Sequence, residues 1–264
     1  MHGTAAEAAF VKIRGVRLEI IDRGSGRPLL FLHPSIGIDP AAPALDHLGK
    51  AGMRLIAPSH PGFGHSDLPP SFTTVDDLAY FYLDVMDALD LRGAVVAGVS
   101  FGAWLAAEIA VKSTERIAKL VLADAVGIRV SDDPATSDIA DIFAMPEKEF
   151  IALAYHDPAK GARDPALPED RLWVQARNLE STARFAWAPY LHDPKLKGRL
   201  HRIGVPTLLL WGAQDKIVTP DYGRAYAAAI PGAQFATIEG AGHFPHIEQP
   251  EAFASKVLSF VMAN

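Results

Sequence analysis

The sequence feature that most constrains the fold is the pentapeptide Gly98-Val99-Ser100-Phe101-Gly102, which has the pattern Gly-x-Ser-x-Gly. It follows an apolar run at 94–97 and precedes a helix-like stretch at 103–110. A strand that turns directly into a helix reverses so tightly that side chains at the two glycine positions would collide with the neighbouring backbone. The pattern therefore predicts a strand, a sharp turn and a helix, with Ser100 at the tip of the turn.

The predicted turn also sets the electrostatic surroundings of the Ser100 hydroxyl. The first N–H groups of a helix have no backbone acceptor, so they can bind a developing negative charge. Because Gly-x-Ser-x-Gly is short and occurs by chance, the context has to support a functional interpretation. Here the chain supplies a serine, an aspartate and a histidine in the order that such a turn uses, which favours acyl chemistry.

Composition excludes several classes of function. The chain has 264 residues, a net charge of −6 and no cysteine, so disulfides, thiolate metal sites and a cysteine nucleophile are excluded. No run of lysine or arginine suggests a nucleic-acid partner. No apolar run approaches the roughly 20 residues of a membrane span, and residues 1–7 lack a basic region followed by an apolar one. We expect a cytoplasmic chain with a small-molecule substrate and no nucleic-acid or membrane partner, while a homodimer stays open.

The hydrophobic pattern predicts an α/β fold. Continuous apolar runs, which are typical of strands buried on both faces, occur at 29–32, 53–57, 94–97, 120–123 and 207–211. Helix-like segments occur at 43–51, 75–89, 101–112, 221–230 and 249–262. This alternation predicts a mostly parallel twisted sheet with helices on both faces. Alternating residues at 10–22, interrupted at Gly15, predict an antiparallel hairpin at its start.

Residues 126–200 interrupt the alternation and contain helix-like stretches near 146–155 and 168–185 but no convincing strand. We interpret them as a helical cap inserted into a core made of 1–125 and 201–264. Aromatic side chains of this segment would line a pocket beneath the cap or form the core of the cap, which is the more common role for any single one. They are Phe143, Phe150, Tyr155, Trp173, Phe185, Trp187 and Tyr190.

Four stretches resemble signatures of the α/β-hydrolase fold superfamily, and the resemblance runs from Phe10 to the C-terminus. They are the pentapeptide 98–102, the loop 57–67 (APSHPGFGHSD), the segment 205–215 (VPTLLLWGAQD) and the segment 240–250 (GAGHFPHIEQP). Together they are specific for the fold and for a Ser-His-Asp triad, and they say little about the substrate. The resemblance implies a serine hydrolase with a helical cap.

The same resemblance implies a role for three side chains. Ser100 is the nucleophile, His243 is the base that activates it and the acid for the leaving group, and Asp215 orients the imidazole. Asp215 lies four residues after Trp211, just outside the carboxyl end of a predicted strand. The alternative acid is Asp124, at the end of the preceding strand.

His246 is the local competitor of His243, although Gly240 and Gly242 favour His243 because they let its loop approach the turn at Ser100. His33, His60 and His65 lie in loops at the same end of the sheet, where we expect them to fix the loops and not to bind a metal. No His-Glu-x-x-His pattern is present. We therefore expect neither a metal nor a cofactor.

The oxyanion of the reaction needs two backbone donors. Phe101, the residue after the nucleophile, supplies one. The second comes from the loop His33-Pro34-Ser35-Ile36-Gly37, where relatives commonly have His-Gly. Because proline has no N–H, we expect Ser35 to supply it.

The preferred hypothesis is a hydrolase that cleaves an ester, thioester or lactone of a small hydrophobic substrate through an acyl-enzyme. An alternative is cleavage of a carbon–carbon bond in a vinylogous diketone, for which Arg129, Arg177 and Arg184 are candidates to hold a substrate carboxylate. A cofactor-free oxygenase and a ligand-binding protein on the same fold also stay open. Dehalogenase and epoxide hydrolase chemistry would need an aspartate in place of Ser100.

Overall fold

The computed structural model describes residues 9–38, 43–133, 137–162 and 164–263, within which eight strands form one sheet. The segment 1–7, which carries the expectation about a leader, lies outside the described residues. The strands are β1 (Ala9–Ile13), β2 (Val16–Arg23), β3 (Pro28–Leu32), β4 (Arg54–Pro58), β5 (Ala94–Val99), β6 (Ile117–Ala123), β7 (Thr207–Gly212) and β8 (Gln234–Ile238). Their order in the sheet is β1-β2-β4-β3-β5-β6-β7-β8.

The predicted α/β fold is confirmed. β3 to β8 are parallel to one another, whereas β1 pairs with β2, and β2 with β4, in antiparallel fashion. Four of the five apolar runs fall within parallel strands, and the run 53–57 overlaps β4 from Arg54 onward. Every residue of β5 and β7 is buried. These strands are apolar throughout because helices cover both faces of the sheet.

The helices are α1 (Pro43–Lys50), α2 (Val75–Ala88), α3 (Phe101–Lys112), α4 (Glu147–Ala154), α5 (Glu169–Ala186), α6 (Pro220–Ala228), α7 (Pro245–Glu248) and α8 (Pro250–Met262). α2 and α3 pack against each other on one face of the sheet, and α1 and α8 pack together on the other. In α3, residues 101–111 are all buried, so this helix has no solvated stripe. Its start is therefore fixed by packing on all sides.

Between β6 and β7 the chain forms α4, α5 and two short 3₁₀ helices, Pro158–Lys160 and Lys197–Arg202. The one bridge described in this segment joins Gly127 to His192. We keep 126–200 as the proposed extent of the cap. Among the described helices, none is long and apolar enough to cross a membrane.

The order of the strands decides which side chains meet. β5, β6 and β7 are neighbours in the parallel sheet, so their carboxyl ends lie at one edge. Ser100 follows β5 directly, Asp124 follows β6 directly, and Asp215 comes three residues after the last residue of β7. Three predicted site residues are thus gathered by the topology alone.

Candidate active site

The turn at Ser100 has the strained geometry that its sequence predicts. The Ser100 backbone has φ 53° and ψ −116°, a conformation that non-glycine residues rarely adopt. A Cβ atom at Gly98 would collide with the Gly102 carbonyl, and one at Gly102 would collide with the Leu32 carbonyl. Glycine is therefore required at both positions, and the turn holds the serine side chain away from β5 and α3.

A continuous hydrogen-bonded chain joins the three predicted triad residues. The His243 Nε2 atom lies 2.7 Å from the Ser100 Oγ atom, and His243 Nδ1 lies 2.8 Å from Asp215 Oδ2. All three side chains are buried. With the imidazole neutral, the contact with the carboxylate places the proton on Nδ1, which leaves Nε2 free to accept the Ser100 proton.

The carboxylate of Asp215 is itself held by the loop after β7. Its Oδ1 atom accepts hydrogen bonds from the N–H groups of Ile217 at 2.8 Å and Val218 at 3.1 Å. The Val218 carbonyl in turn accepts from the Trp211 indole at 3.0 Å. These bonds satisfy one oxygen with neutral donors and leave the other for His243, so the side chain is fixed in the position that orients the imidazole.

Asp124 lies beside this chain but is bonded differently. Its Oδ1 atom accepts from the Gly212 N–H at 2.8 Å, and in the described part of the chain its Oδ2 atom has no hydrogen-bond partner. Complete burial raises the pKa of Asp124 well above its usual value, and the Asp215 charge raises this pKa further. Both effects favour the protonated form of Asp124, so the geometry assigns the charged acid position to Asp215.

One potential ligand atom from each of Asp124, Asp215 and His243 lies within 4.8 Å of the others, a spacing compatible with a cation. Both ring nitrogens of His243, however, already face protein partners in the hydrogen-bonded chain. The hydrogen bond accounts for the proximity of Asp215 to His243, and the adjacent ends of β6 and β7 bring Asp124 beside Asp215.

The loop that carries His243 is bonded to the cap segment. The His243 N–H donates to the Ala154 carbonyl, at the end of α4, over 2.7 Å. The buried Glu248 carboxylate accepts from the N–H groups of Gly242 at 2.6 Å, Asp157 at 2.9 Å and His156 at 3.2 Å. The imidazole is thus positioned by groups from both the core and the cap.

The two predicted oxyanion donors, Ser35 and Phe101, lie close to the predicted nucleophile. Both residues line a small chamber that also contains Ser100 and His243. Phe101 is the first residue of α3, so its N–H has no intrahelical acceptor. Ser35 lies in a β-turn closed by a hydrogen bond of 2.9 Å from the Gly37 N–H to the Pro34 carbonyl.

Two predicted loop-fixing histidines, His33 and His60, lie behind this β-turn. Their rings stack with centroids 3.7 Å apart, and the backbone N–H of His60 donates to His33 Nε2 at 2.9 Å. His60 Nδ1 lies 2.6 Å from the Tyr82 hydroxyl, and His60 Nε2 lies 3.0 Å from the His33 carbonyl. Burial lowers the pKa of His33 to about 4 and that of His60 well below its usual value. These neutral rings join the 33–37 loop to the 57–67 loop.

The two remaining candidate histidines, His246 and His65, make their ring contacts elsewhere. The His246 ring packs against Phe31, Phe244 and Phe253 in the core, and burial lowers its pKa to about 3. His65 is exposed and stacks on Trp173. Of these candidates, His243 is the one whose ring is hydrogen-bonded to Ser100.

Two cavities open at this edge of the sheet. The chamber at Ser100 has a volume of about 10 Å³, room for roughly one water molecule. A second cavity of about 770 Å³ lies next to it and shares the lining residues Ser35, Ile142 and Phe150. Of the aromatic residues of the cap segment, Phe143, Phe150 and Tyr155 line the larger cavity. Trp173 and Trp187 are instead 54% and 62% exposed.

The three arginines considered for binding a substrate carboxylate donate to backbone carbonyl oxygens. Arg177 donates to the carbonyls of Gly64 at 2.8 Å and Ser66 at 2.6 Å. The other acceptors are Ser131 and Asp133 for Arg129, and Phe72 and Pro70 for Arg184. These bonds give all three guanidinium groups a role in fixing loops.

Two residues of the site were not singled out from the sequence. Asn178, on α5, bonds the loops at Ile36 and Gly64, and Glu248 bonds the end of α4 to the histidine loop. Glu248 could have been found from the sequence, because it is the glutamate of the segment 240–250, which resembles a signature of the superfamily. For Asn178 no motif was available, since its partners lie more than 110 positions away in the chain.

Comparison with known proteins agrees with the fold. A family model described as "Alpha/beta hydrolase family" matches residues 29–256. The 2-hydroxymuconate semialdehyde hydrolase of Pseudomonas putida is 27% identical over 260 residues, which cover 94% of this chain and 91% of that protein.

Solved structures give the same result. A hydrolase from Pseudomonas aeruginosa PA01 is 27% identical with a TM-score of 0.75, and the match covers 98% of this chain and 100% of that chain. An esterase from Exiguobacterium antarcticum is 22% identical with a TM-score of 0.77 over 97% of this chain and 100% of its own, which shows a shared fold. The chain therefore belongs to the alpha/beta hydrolase family.

Proposed function

We propose that the protein is a serine hydrolase that cleaves an ester, thioester or lactone of a small hydrophobic substrate through an acyl-enzyme. The observation that carries the proposal is the buried chain of hydrogen bonds of 2.7 Å and 2.8 Å from Ser100 through His243 to Asp215. A serine hydroxyl needs an adjacent base to become a nucleophile, and the base needs an acid to hold its tautomer. In this protein His243 is that base and Asp215 is that acid.

In the first half of the reaction, Ser100 Oγ attacks the substrate carbonyl carbon while its proton moves to His243 Nε2. The carbonyl oxygen becomes an oxyanion, which the N–H groups of Phe101 and Ser35 stabilise. When the tetrahedral intermediate collapses, His243 gives its proton to the leaving alcohol or thiol, and the acyl group stays on Ser100. Throughout, the Asp215 carboxylate stabilises the imidazolium.

In the second half, a water molecule takes the place of the leaving group. The oxygen of this water attacks the acyl carbon while His243 Nε2 accepts a proton from the water. His243 then gives that proton to Ser100 Oγ as the carboxylic acid leaves. The chamber at Ser100 has room for about one water, at about 10 Å³.

The larger cavity indicates where the body of the substrate binds. Its volume of about 770 Å³ suits a small organic molecule, and most of its walls are apolar. Side chains that give it this character include Ile36, Ile38, Ile142, Phe143, Met145, Phe150, Ile151, Leu167, Val174 and Leu179. A hydrophobic acyl or alcohol group fits such walls better than a polar one does.

Carbon–carbon bond hydrolysis is the second candidate. It is supported by the similarity to a 2-hydroxymuconate semialdehyde hydrolase at 27% identity. Arg129, Arg177 and Arg184, the sequence candidates for holding a substrate carboxylate, donate to backbone carbonyls. The described lining of the large cavity instead contains the cationic side chains Lys160 and Arg171, which a substrate carboxylate would meet there. The same triad would carry out either reaction, so substrates must separate them.

The proposal is tested by intact mass spectrometry after treatment with a fluorophosphonate probe. Wild type and Ser113→Ala, a control at the other end of α3, should each gain one adduct that maps to Ser100, whereas Ser100→Ala should gain none. A panel of aryl esters, a thioester, a lactone and a vinylogous diketone then follows. Folded wild type that takes no label would contradict the proposal and favour the oxygenase or ligand-binding alternatives.

A further inference from the structure

The inner side of α5 bonds the core through polar side chains and not through apolar packing alone. Asn178, Ser181 and Thr182 are all buried there. The Asn178 Nδ2 atom donates to the Ile36 carbonyl at 3.0 Å, and its Oδ1 atom accepts from the Gly64 N–H at 2.9 Å. One amide therefore joins the cap segment to two different loops of the core.

The Ile36 carbonyl belongs to the β-turn that contains Ser35. The peptide group between Ile36 and Gly37 is held at both ends, because its N–H bonds the Pro34 carbonyl at 2.9 Å and its oxygen bonds Asn178. The preceding peptide group, between Ser35 and Ile36, also faces α5, since the Thr182 hydroxyl lies 3.4 Å from the Ser35 carbonyl. That hydroxyl donates to the Asn178 carbonyl at 2.8 Å, so the Asn178 amide supplies the strong hydrogen bond from α5 to the turn.

Packing at Gly37 leaves no room for the turn to shift toward α5. Gly37 has φ +91°, and a Cβ atom there would overlap the Asn178 Nδ2 atom. The amide therefore occupies the space that any other residue at position 37 would need. Steric contact and hydrogen bonding fix the turn against α5 together.

We propose that Asn178 is a positioning residue, which holds the turn so that the Ser35 N–H points at the substrate oxyanion. This inference rests on the proposed serine hydrolase function. It makes the cap a part of the oxyanion site as well as a wall of the substrate cavity. A donor displaced by about 1 Å is costly in such a site, because oxyanion stabilisation depends on donors already placed for the transition state.

Three substitutions separate this role from a general loss of packing. Asn178→Ala removes both bonds. Asn178→Asp keeps an acceptor for the Gly64 N–H but sets a carboxylate oxygen against the Ile36 carbonyl. Ser181→Ala is the matched control, because the Ser181 hydroxyl bonds the Gly62 carbonyl at 2.6 Å from the same side of α5 without touching the turn.

The measurements are the rate constant of Ser100 phosphonylation, the kcat and KM for an aryl ester, and the unfolding midpoint. We expect both Asn178 variants to lose about 10- to 100-fold in kcat and in phosphonylation rate, within the range for an impaired oxyanion donor. We expect the kcat and the phosphonylation rate of Ser181→Ala to stay within about threefold of wild type, although its loss of stability should be similar to that of the Asn178 variants. Equal kcat and phosphonylation rates in all the variants, or wild-type rates in Asn178→Asp, would overturn the proposal for Asn178. Labelling of the wild type would still support the hydrolase in that case. An unlabelled wild type would overturn both.

A double-mutant cycle with Gly37→Ala gives an independent readout. The positive φ at position 37 strains an alanine equally in either background, whereas the overlap with the amide exists only when Asn178 is present. Gly37→Ala should therefore slow phosphonylation more in the wild-type background than in Asn178→Ala. Additive effects would show that the two residues do not act on the turn together, and would overturn the proposal.

Discussion

The carboxyl groups of Asp124 and Asp215 lie side by side at the ends of the neighbouring strands β6 and β7, and they differ in what they bind. Asp215 accepts from two backbone N–H groups and from His243, whereas Asp124 accepts from one backbone N–H. Two adjacent buried carboxyls are not both ionised at low cost. The hydrogen bonds favour Asp215 as the charged group, while burial and the neighbouring Asp215 charge raise the pKa of Asp124 and favour its protonated form.

This division predicts unequal effects of removing each carboxylate. Asp215→Asn should lower kcat by about 10²- to 10⁴-fold, because an asparagine amide disturbs the tautomer of the imidazole. Asp124→Asn should cost less than about tenfold, since a neutral side chain replaces a neutral acid. Steady-state kinetics with one aryl ester, on variants whose circular dichroism matches wild type, gives the comparison. A larger loss in Asp124→Asn than in Asp215→Asn would make Asp124 the catalytic acid.

The Glu248 carboxylate predicts a change in both stability and turnover. It accepts three backbone N–H bonds, from Gly242, His156 and Asp157. Glu248→Gln replaces one accepting oxygen by a donor that faces an N–H, so we expect a loss of about 2–4 kcal/mol in the free energy of unfolding. Because Gly242 precedes His243, kcat should also fall, by about tenfold. Urea unfolding and ester kinetics measure the two effects, and an unchanged kcat would limit Glu248 to a stabilising role.

The buried neutral histidines predict that stability falls in mild acid. The pKa of His33 is lowered to about 4 and that of His246 to about 3, so between these values and about 6.5 the unfolded chain binds more protons than the folded chain. Unfolding free energy should therefore fall as pH decreases, by about 2 kcal/mol per histidine from pH 7 to pH 5. His246→Phe should flatten this decline, whereas the exposed His201→Gln should leave it unchanged. Urea unfolding across pH measures the slope, and equal slopes in both variants would contradict the assignment.

The 770 Å³ cavity predicts how the enzyme responds to acyl chain length. Val174, on α5, lines this cavity, while Ala176 on the same helix is exposed. Val174→Trp should lower kcat/KM for a long-chain aryl ester at least tenfold more than for the acetate, because the indole fills space that the chain would occupy. Ala176→Trp should leave the ratio of kcat/KM for the long-chain ester to kcat/KM for the acetate as in wild type. A chain-length profile that neither substitution alters would place the acyl group elsewhere.

Most of the sheet could be predicted because its parallel strands are buried on both faces and are therefore continuous apolar runs. β8 is the exception. Its residues Gln234–Ile238 lie at the edge of the sheet, where the pattern is mixed and only Ile238 is fully buried. An edge strand needs no continuous apolar run, so the sequence contained no matching signal. The hairpin at 10–22 was predictable for the opposite reason, since its residues alternate between the two sides of β1 and β2.

The site was predictable where its chemistry depends on side chains in short segments. Ser100, Asp215 and His243 each follow a recognisable local pattern, and the parallel topology gathers them. Asn178 and Arg177 carry no such pattern because their partners are backbone atoms of distant loops. Any residue type can present a carbonyl oxygen, so only the folded chain shows which side chains bind one.

The bonds from α4 and α5 to the catalytic loops bear on how such enzymes diversify. A cap grafted from a relative would have to provide an amide for the Ile36 carbonyl and two N–H groups for Glu248, or the recipient would lose turnover along with its old selectivity. On the proposed role of Asn178, selectivity and rate would be inherited as one unit in this chain. Mutational libraries aimed at new substrates should vary the cavity side of α5 while leaving Asn178 intact.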